Sequence, residues 1–208
     1  MSAGPTREHI DPVRFISNPS SGKMGYAIAR AAEYRGGDVM LVSGPTNLPN
    51  PVNMEVIRVQ SAREMAQAMF DQMDSADIVI KTAAVADYRP RDASDHKIKK
   101  GDDEKSLSLV KNSDILRELG KRKTSQILVG FAAETRELEK HASQKLEKKN
   151  LDMIAGNLVG DPSSGFGTDT NLVTLFYRDG TKESLPSMEK DAVAHILLDR
   201  VVERIMGA

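Results

Sequence analysis

The chain has 208 residues, a length sufficient for one sizeable hydrophobic core. Hydrophobic residues make up 39% and charged residues 28% of the sequence, proportions typical of a soluble globular protein. The formal net charge of −1 excludes a strong global attraction to nucleic acid or anionic membranes, and the absence of cysteine excludes disulfides, a cysteine nucleophile and thiolate metal sites.

The first residues form a very short strand-like stretch. Residues 2–6 have the character of a strand end and its turn, although almost nothing precedes them. We therefore expect Met1 to mark the start of an excised or closely trimmed domain, with residues 1–208 forming a single domain. No apolar run approaches the roughly 20 residues of a membrane span, and no signal peptide is present. Together with the absence of cysteine, this favours a cytoplasmic protein.

Short apolar runs alternate with helical patterns along the rest of the chain. A strand-like start at residues 14–16 leads into a helical pattern that opens at residues 22–25. Further strands, apolar enough for a parallel sheet covered on both faces, are predicted at residues 39–42, 56–59, 78–84, 107–110, 127–131 and 153–155. Helices are predicted from residue 61, from residues 113–114, over 134–149 and over 190–205. This alternation predicts a three-layer α/β domain, Rossmann-like or ribokinase-like, around a mostly parallel sheet.

Two of these helices carry apolar stripes that indicate core packing. A capping box at Ser61 and Glu64 opens the first. The stripe behind it, which favours core over a binding surface, consists of Met65, Met69 and Met73. On the last helix we expect His195 to be solvated, because it lies opposite the apolar stripe of Val193, Leu197, Val201 and Ile205.

Two segments break the alternation. Residues 86–105 are polar and charged, and a loop of this length inside a compact domain is usually functional or disordered. Residues 172–177 alternate in character and precede Asp179 and Gly180, a pair typical of a β-hairpin turn. We expect a hairpin around residues 171–185 that either extends the sheet or covers a partner subunit.

The junction at residues 18–25 combines small and polar residues where a strand leads into a helix. It matches neither the Walker loop nor the full dinucleotide fingerprint, because key glycines are missing from both patterns. One interpretation is a plain helix cap with close helix–strand packing. The other is an anion site in which Ser20, Ser21 and the following N–H groups bind a phosphate. In that case the amide of Asn18 could donate to a developing oxyanion.

Small and charged residues also follow other predicted strands. Residues 81–84 end a strand in small side chains, and Asp87 comes close behind. At the C-terminal edge of a parallel sheet, such residues border ligand sites, although a solvated strand end is equally open. Residues 111–114 form another strand-to-helix junction with anion-binding geometry.

Lysines and one aromatic residue add to this pattern. The run at residues 97–100 is either a solvated charge run or a mobile lid that brings cations to a polyphosphate. Lys145 and Lys149 share a helix face, an unfavourable pair unless an anion lies between them. Phe131 either stacks on a base or fills core. The set favours a nucleotide site along one sheet edge, and the four histidines show no metal-ligand spacing.

Seven segments occur in the order and with the gaps of one known family. They are GPTREHIDPVRFISNPSSGKMG, TAAVADYRP, KIKK, KNSDI, GFAAET, QKLEKKNLDMI and SSGFGTDTN. On these segments the sequence closely resembles bacterial phosphopantothenate–cysteine ligases over essentially the whole chain. In many bacteria this ligase is the C-terminal half of a bifunctional protein whose N-terminal half is a flavin-dependent decarboxylase.

The resemblance implies a ligase of coenzyme A biosynthesis. The carboxylate of 4'-phosphopantothenate attacks the α-phosphate of CTP, which gives an acyl-cytidylate and pyrophosphate. The amine of L-cysteine then attacks the acyl carbon, giving the amide and CMP. The resemblance also implies Mg2+, for which no ligands are assigned, and a homodimer with active sites near the subunit interface.

The resemblance assigns roles by motif position. Asn18 corresponds to the asparagine that contacts the acyl-cytidylate, and Lys97 to a lysine that contacts the triphosphate in the first step, so both are expected to be catalytic. The phosphate end of phosphopantothenate or its cytidylate is expected at the segment that contains Arg14, Asn18, Ser20, Ser21 and Gly22. CTP is expected to contact Lys81, Thr82, Ala83, Asp87, Lys97, Lys111, Asn112, Ser113, Asp114, Phe131, Lys145 and Lys149.

Two alternatives remain open on the residues alone. A Rossmann-type nicotinamide-dependent oxidoreductase would use the same sheet edge, but it normally carries the full glycine fingerprint. A non-enzymatic nucleotide-binding module would keep the site but would need neither Asn18 nor Lys97. Substituting these two residues one at a time distinguishes the module from the ligase.

Overall fold

The computed structural model describes residues 1–101, 104–158 and 167–207. The strands are β1 (Ser2–Ala3), β2 (Arg7–His9), β3 (Phe15–Ser17), β4 (Met40–Ser43), β5 (Glu55–Arg58), β6 (Ile78–Lys81), β7 (Tyr88–Pro90), β8 (Leu109–Lys111), β9 (Ile127–Glu134), β10 (Met153–Leu158), β11 (Thr170–Asn171), β12 (Thr174–Tyr177), β13 (Lys182–Ser184) and β14 (Met188–Glu189). The helices are α1 (Lys23–Tyr34), α2 (Ala62–Asp71), α3 (Ile115–Arg122), α4 (Leu138–Lys148) and α5 (Lys190–Arg200), and a π-helical turn (Val201–Met206) follows α5. In the described part of the chain, every helix is too short or too polar to cross a bilayer.

Eight strands form the central sheet in the order β13-β12-β10-β9-β6-β1-β4-β5. The six strands from β10 to β5 are parallel, and β12 and β13 add an antiparallel hairpin at one edge. The sheet therefore confirms the predicted α/β fold, and the hairpin extends the sheet. In its turn Gly180 has a φ of 84°, and the Asp179 carboxylate accepts the N–H of Thr181 at 2.8 Å.

Buried side chains alternate across the sheet and build two core layers. Val79 and Leu128 pack with α2, α3 and α4 on one face, whereas Ile80 and Val129 pack with α1 and α5 on the other. The predicted methionine stripe is fully part of the core, with exposed fractions of 0% for Met65, 4% for Met69 and 1% for Met73. These two layers and the sheet between them make the three-layer arrangement.

The last helix agrees with its predicted stripe but not with the prediction for His195. Val193, Leu197 and Val201 are buried, while the side chain of Ile205 lies outside the described part of the structure. His195 is half-buried because Arg35 of α1 reaches across to it and donates to its backbone carbonyl at 2.8 Å. The same guanidinium pairs with Asp199 at 2.7 Å, so this helix face packs against α1.

Two predicted strands lie outside the central sheet. The strand-like residues 14–16 become β3, which pairs antiparallel with β2, so the sheet strand that leads towards α1 is β1. The prediction at residues 107–110 becomes β8, which pairs with β7 from within the polar segment at residues 86–105. Both small sheets are insertions between a strand end and the next helix, and period-two patterning alone does not say which sheet a strand joins.

Three predicted strand ends are wrong, and one of them is the end predicted at residue 155, because that strand continues as β10 to Leu158. The strand predicted to reach residue 84 ends at Lys81, although Ala84 still forms a parallel bridge with Pro5. The strand predicted to end at residue 131 continues to Glu134, because each residue through Glu134 has a partner on β10. The following helix therefore begins at Leu138 rather than at residue 134.

Candidate active site

The strand order places a crevice at the C-terminal ends of β1 and β6. The chain runs from β1 outward to β4 and β5, and then returns to the other side of β1 at β6. Ligands of open α/β sheets bind where the strand order reverses in this way. A cavity of about 150 Å³ lies there, lined by residues that include Gly4, Thr82, Ala83, Phe131, Ala133 and Asn157.

Two glycines allow α1 to approach this crevice closely. A Cβ on Gly25 would lie 2.3 Å from Thr82 Oγ1 and 2.5 Å from the Cβ of Ala3, so only glycine fits the contact between α1 and the sheet. Gly22 precedes α1 with a φ of 80°, in the left-handed region that favours glycine. The helix N-terminus consequently faces the strand ends at short range.

The serines before α1 do not cap it in the usual way. Ser20 Oγ accepts the N–H of Gly22 at 3.3 Å and Ser21 Oγ accepts the N–H of Lys23 at 3.4 Å, and the N-cap residue itself makes no side-chain capping bond. Both serines line the smaller cavity together with Gly22. This geometry suits anion binding by hydroxyl and N–H groups, so the structure fits the second interpretation of the junction as well as the first.

Asn18 lies on the far side of the same loop. Its Nδ2 donates to the carbonyl oxygen of Ala84 at 3.1 Å, which ties the loop to the segment after β6. Asn18 lines a second cavity of about 420 Å³ that shares Ser20, Ser21 and Lys23 with the first. The two cavities are therefore neighbours, and Asn18 lies beside their shared wall.

A cluster of lysines and acids surrounds the end of β6. Lys81 Nζ donates to the carbonyl of Ala83 at 2.9 Å. Burial lowers the pKa of Lys81 to about 8, and the positive charges of Lys149 and Lys145 act in the same direction, while Asp114 and Asp87 oppose them. The cluster is thus a partly buried region of interleaved lysines and acids, in which Lys81 bonds a backbone carbonyl rather than a carboxylate.

Lys145 and Lys149 each have an acidic partner. Lys145 pairs with Glu134 at 2.6 Å, and Lys149 pairs with Asp114 at 2.8 Å. Burial acts to raise the pKa values of Glu134 and Asp114, but their bonded lysines outweigh it, and both pKa values are lowered. The repulsion expected between Lys145 and Lys149 is therefore offset by the two carboxylates. A bound triphosphate would compete with these carboxylates for the two lysines.

The junction before α3, residues 111–114, is bonded to the segment that follows β6. Asn112 Nδ2 donates to the carbonyl of Ala86 at 2.8 Å, and the N–H of Asn112 donates to the carbonyl of Asp87 at 2.8 Å. Asp114 caps α3 by accepting the N–H of Arg117 at 3.1 Å. The side chains of Lys111 and Ser113 are exposed, so these two predicted contacts depend on what approaches from solvent.

Arg14 and Lys97 lie apart from the lysine cluster, where residues 94–98 contact the turn between β2 and β3. The Arg14 guanidinium binds the carboxylate of Asp11 and donates to the carbonyl of Ile98 at 2.9 Å. Lys97 is exposed and forms no hydrogen bond or ion pair with any residue that the structure describes. Arg14 thus contacts the lysine segment, and its predicted contact with substrate stays a prediction.

Several polar residues at the cavities were not singled out from the sequence. Lys190 is 7% exposed, lines the smaller cavity and donates to the carbonyl of Thr168. Lys23 lines both cavities and pairs with Asp169 at 2.7 Å. Arg7 lines the larger cavity and stacks over Phe15 at 4.6 Å. Lys23 and Arg7 stand inside the first motif segment, which is the signal that could have found them.

The sequence matches the model of a known protein family over nearly its entire length. The family is the DNA/pantothenate metabolism flavoprotein C-terminal domain, and the match covers residues 1–205. The chain belongs to this family. This assignment confirms the family resemblance drawn from the motifs.

Members of the family include proteins that are closely similar to this chain. The coenzyme A biosynthesis bifunctional protein CoaBC of Bacillus subtilis is 52% identical over 202 residues, which are 97% of this chain and 50% of that protein. The CoaBC protein of Escherichia coli is 47% identical over 208 residues, 98% of this chain and 51% of that protein. The chain therefore spans about half the length of these relatives.

Two solved structures share the fold of this chain. The crystal structure of the C-terminal domain of a CoaBC protein superposes with a TM-score of 0.85 at 43% identity, covering 100% of this chain and 94% of that one. A Cab2 variant in complex with phosphopantothenate-cysteine superposes with a TM-score of 0.80 at 17% identity, covering 98% and 84%. Because the Cab2 variant is only 17% identical to this chain, its similarity shows a shared fold and nothing more.

Proposed function

We propose that this chain is a phosphopantothenate–cysteine ligase of coenzyme A biosynthesis that uses CTP. The observation that carries the proposal is the bond of Asn18 to the carbonyl of Ala84, which links two features near the ends of β1 and β6. One is the cluster of Lys81, Lys145 and Lys149, which suits a polyphosphate. The other is the loop of Asn18 and the serines before α1, which borders two adjoining cavities.

The nucleotide is assigned to the side of the crevice formed by β6, β9, α3 and α4. The small side chains of Ala83 and Ala84 let a base and ribose approach the backbone, and Phe131 lines the cavity where a ring could stack. The triphosphate would lie among Lys81, Lys145 and Lys149 and compete for them with Glu134 and Asp114. The remaining proposed CTP contacts are Thr82, Asp87, Lys111, Asn112 and Ser113 at that end of the crevice, and Lys97 from the segment anchored on the turn between β2 and β3.

In the first step the substrate carboxylate attacks the α-phosphorus of CTP. A bond forms between the carboxylate oxygen and phosphorus, the bond to the bridging oxygen breaks, and pyrophosphate leaves with the electron pair. The lysines oppose the negative charge that would otherwise keep a carboxylate away from a triphosphate. Lys97 is assigned to the leaving pyrophosphate because the family resemblance implies a triphosphate contact at this lysine, and its ammonium pairs with no acid among the described residues.

In the second step the amine of cysteine attacks the acyl carbon. The carbonyl oxygen gains negative charge as the tetrahedral centre forms, the attacking nitrogen loses one proton, and CMP leaves with the electron pair of the acyl–oxygen bond. Asn18 has two amide hydrogens, one of which is held by Ala84, so the other remains for this oxygen. Fixing the amide in advance lets it stabilise the transition state without reorganisation.

We expect a magnesium ion to enter this site bound to the phosphates of the nucleotide. Among the described residues, no three histidine or acidic side chains gather in the manner of a metal site. Mg2+ is usually carried by nucleotide phosphates with one or two carboxylates, and Asp87 and Asp114 are the carboxylates beside Lys81. When bound, the ion would offset phosphate charge as pyrophosphate departs.

A homodimer, a fused decarboxylase half and a cytoplasmic location are parts of the same proposal. Exposed apolar side chains on the β2–β3 and β7–β8 sheets support the dimer, with exposed fractions of 41% for Phe15, 44% for Tyr88 and 44% for Leu109. The decarboxylase half is expected from the bifunctional relatives, which are about twice as long. The cytoplasm is expected because it supplies nucleoside triphosphates.

The direct test is a product assay with defined substrates. The protein is incubated with 4'-phosphopantothenate, L-cysteine, Mg2+ and each nucleoside triphosphate in turn, and the products are separated by mass. The proposal predicts phosphopantothenoylcysteine, CMP and pyrophosphate in equal amounts, without any nicotinamide cofactor. CTP bound but never cleaved would leave a nucleotide-binding module as the function.

A further inference from the structure

Asp11 is a buried carboxylate that satisfies donors from two distant segments. Its side chain is fully buried. Oδ1 accepts the backbone N–H groups of Val13 and Arg14, each at 2.9 Å. Oδ2 accepts Arg14 Nε at 3.0 Å, the Nη2 of the same guanidinium, and the backbone N–H of Ile98 at 3.1 Å. The last bond spans 87 residues of sequence.

The segment that contains Ile98 is held at further points. Arg14 Nη2 donates to the carbonyl oxygen of Ile98 at 2.9 Å, so both polar groups of this residue's backbone are bound. The N–H of Ser94 donates to the carbonyl of Ile10 at 2.9 Å. Residues 94–98 are therefore anchored on the turn between β2 and β3 even though they form no regular structure of their own.

Lys97 lies inside this anchored stretch. It is exposed, and among the described residues nothing holds its ammonium group. A lysine on a four-carbon stem reaches a defined point only if its backbone is fixed, because its rotamers otherwise spread the charge over a wide volume. The bonds at Ile98 fix the neighbouring peptide and thus the origin of the Lys97 side chain.

We propose that Asp11 is the positioning residue for Lys97, setting where that lysine meets the triphosphate in the first step. The inference rests on the proposed function. Asp11 itself is buried beneath the Arg14 guanidinium, so it acts through the lysine segment rather than on substrate.

An Asp11→Asn substitution tests this role with little change in shape. Each carboxylate oxygen accepts at least two N–H donors, so either orientation of an asparagine turns its NH2 group towards N–H donors. The bonds to Ile98 or to the turn at Val13 must then break. The Arg14 guanidinium also holds the pKa of Asp11 well below its usual range, so the carboxylate is ionised at any working pH.

The experiment measures the two chemical steps separately in single turnovers. Pyrophosphate release reports the first step, and amide formation from added acyl-cytidylate reports the second. Asp11→Asn is expected to slow the first step by roughly 100-fold, the cost of displacing a positioned group by about 1 Å. The second step should be slowed far less than the first, because Lys97 does not act in it and Arg14, the other group that Asp11 holds, keeps its bond to the carbonyl of Ile98.

A double-mutant cycle separates positioning from general damage. In a Lys97→Gln background, Asp11→Asn should change the first step by less than about twofold, since the group that it positions is gone. Asp179→Asn is the matched control, because Asp179 also accepts a backbone N–H in a turn but lies in the hairpin. If Asp11→Asn does not fold, Ile98→Pro removes the same N–H donor within the loop and should give the same cycle.

Three results would overturn the inference while ligation by the unaltered protein stands. The first is an unchanged rate of the first step in Asp11→Asn, and the second is an equal loss of rate in both steps of that variant. The third is a loss of first-step rate in the double variant that equals the product of the losses in Asp11→Asn and Lys97→Gln. If the unaltered protein itself forms neither CMP nor pyrophosphate, the proposed function fails and the inference fails with it.

Discussion

Asn18 donates its side-chain amide to the carbonyl oxygen of Ala84 over 3.1 Å, although 66 residues separate the two. The bond joins the loop before α1 to the segment after β6. It brings the proposed site of the acyl group next to the proposed site of the nucleotide, as a reaction between carboxylate and α-phosphate requires.

Asn18→Asp should form acyl-cytidylate but fail to convert it to the amide. A carboxylate cannot donate to Ala84 or to the acyl oxygen, and loss of one such donor typically costs roughly 100- to 1,000-fold. Mass spectrometry of quenched reactions measures the accumulated intermediate. Asn53→Asp, at an exposed position bonded to Glu33, serves as the control and should turn over normally. Normal amide formation by Asn18→Asp would disprove the role.

Lys97→Gln should lose the first step. Removing a cation that faces the triphosphate leaves the developing pyrophosphate charge unopposed, with an expected loss of roughly 100-fold or more in pyrophosphate release. Lys99→Gln, two residues along the same exposed segment, is the control and should lose less than about threefold. Equal losses in the two variants would mean that only the overall charge of the segment matters.

Lys149→Gln should raise the KM for CTP by roughly tenfold, the worth of one charged hydrogen bond. The substitution also leaves Asp114 facing the triphosphate without its 2.8 Å partner. Steady-state kinetics at saturating phosphopantothenate and cysteine measures the effect. Lys148→Gln on the same helix end is exposed and should leave the KM unchanged. A similar KM in both variants would place the triphosphate elsewhere.

CTP affinity should decrease as the pH rises through the Lys81 pKa of about 8. Below that pH the ammonium is charged and attracts the triphosphate, whereas above it this charge is lost, at a cost of roughly tenfold in affinity. Bound CTP should itself raise the pKa, so binding near pH 8 takes up a proton. Calorimetry in buffers of different ionisation enthalpy measures this uptake. Lys81→Met should abolish it; uptake that persists in the variant would contradict the assignment.

The same pKa shift has an opposite effect on the stability of the free protein. Because the pKa of Lys81 is lowered from 10.5 to about 8, the unfolded chain binds this proton more tightly than the folded one. The contribution of Lys81 to the free energy of unfolding therefore increases with pH between about 8 and 10.5 and is most unfavourable below about 8. Denaturation of Lys81→Met against pH should lack this rise.

Gly22→Ala should destabilise the protein more than Gly36→Ala. Both glycines have a positive φ, 80° and 81°, but a Cβ on Gly22 would lie 2.7 Å from Thr46 Cγ2, whereas nothing lies within 4 Å at Gly36. We expect a loss of about 1 kcal/mol at Gly36 from backbone strain alone and about 2–4 kcal/mol at Gly22 from strain and crowding together. Urea unfolding measures both; equal losses would contradict the close packing of α1.

The central sheet was predictable because its strands are buried on both faces. Runs such as residues 78–80 and 127–131 are apolar without interruption, as is typical of strands in a parallel sheet that is covered on both faces. The small sheets were not placed, because β2, β3, β7 and β8 are short and half-exposed. The strand with which each of them pairs is determined by the course of the chain between the central strands and the helices, and no local sequence pattern indicates it.

The site was predictable only where residues follow strand ends. The sequence suggested that Lys81, Asp87 and Phe131 share an edge, since carboxyl ends of parallel strands meet there. It did not suggest the pairing of Lys145 with Glu134, because the end of β9 was placed three residues too early. Asp11 was missed for a different reason: its bond to Ile98 crosses 87 residues, and an aspartate before a proline ordinarily indicates a turn.

The most direct test of the account is the crystal structure of Asn18→Asp grown with CTP, Mg2+ and 4'-phosphopantothenate but without cysteine. The account predicts an acyl-cytidylate in the crevice, its phosphate facing the lysines around Lys81 and its acyl carbonyl beside residue 18. Nucleotide density away from the ends of β1 and β6, or unreacted CTP far from residue 18, would contradict it.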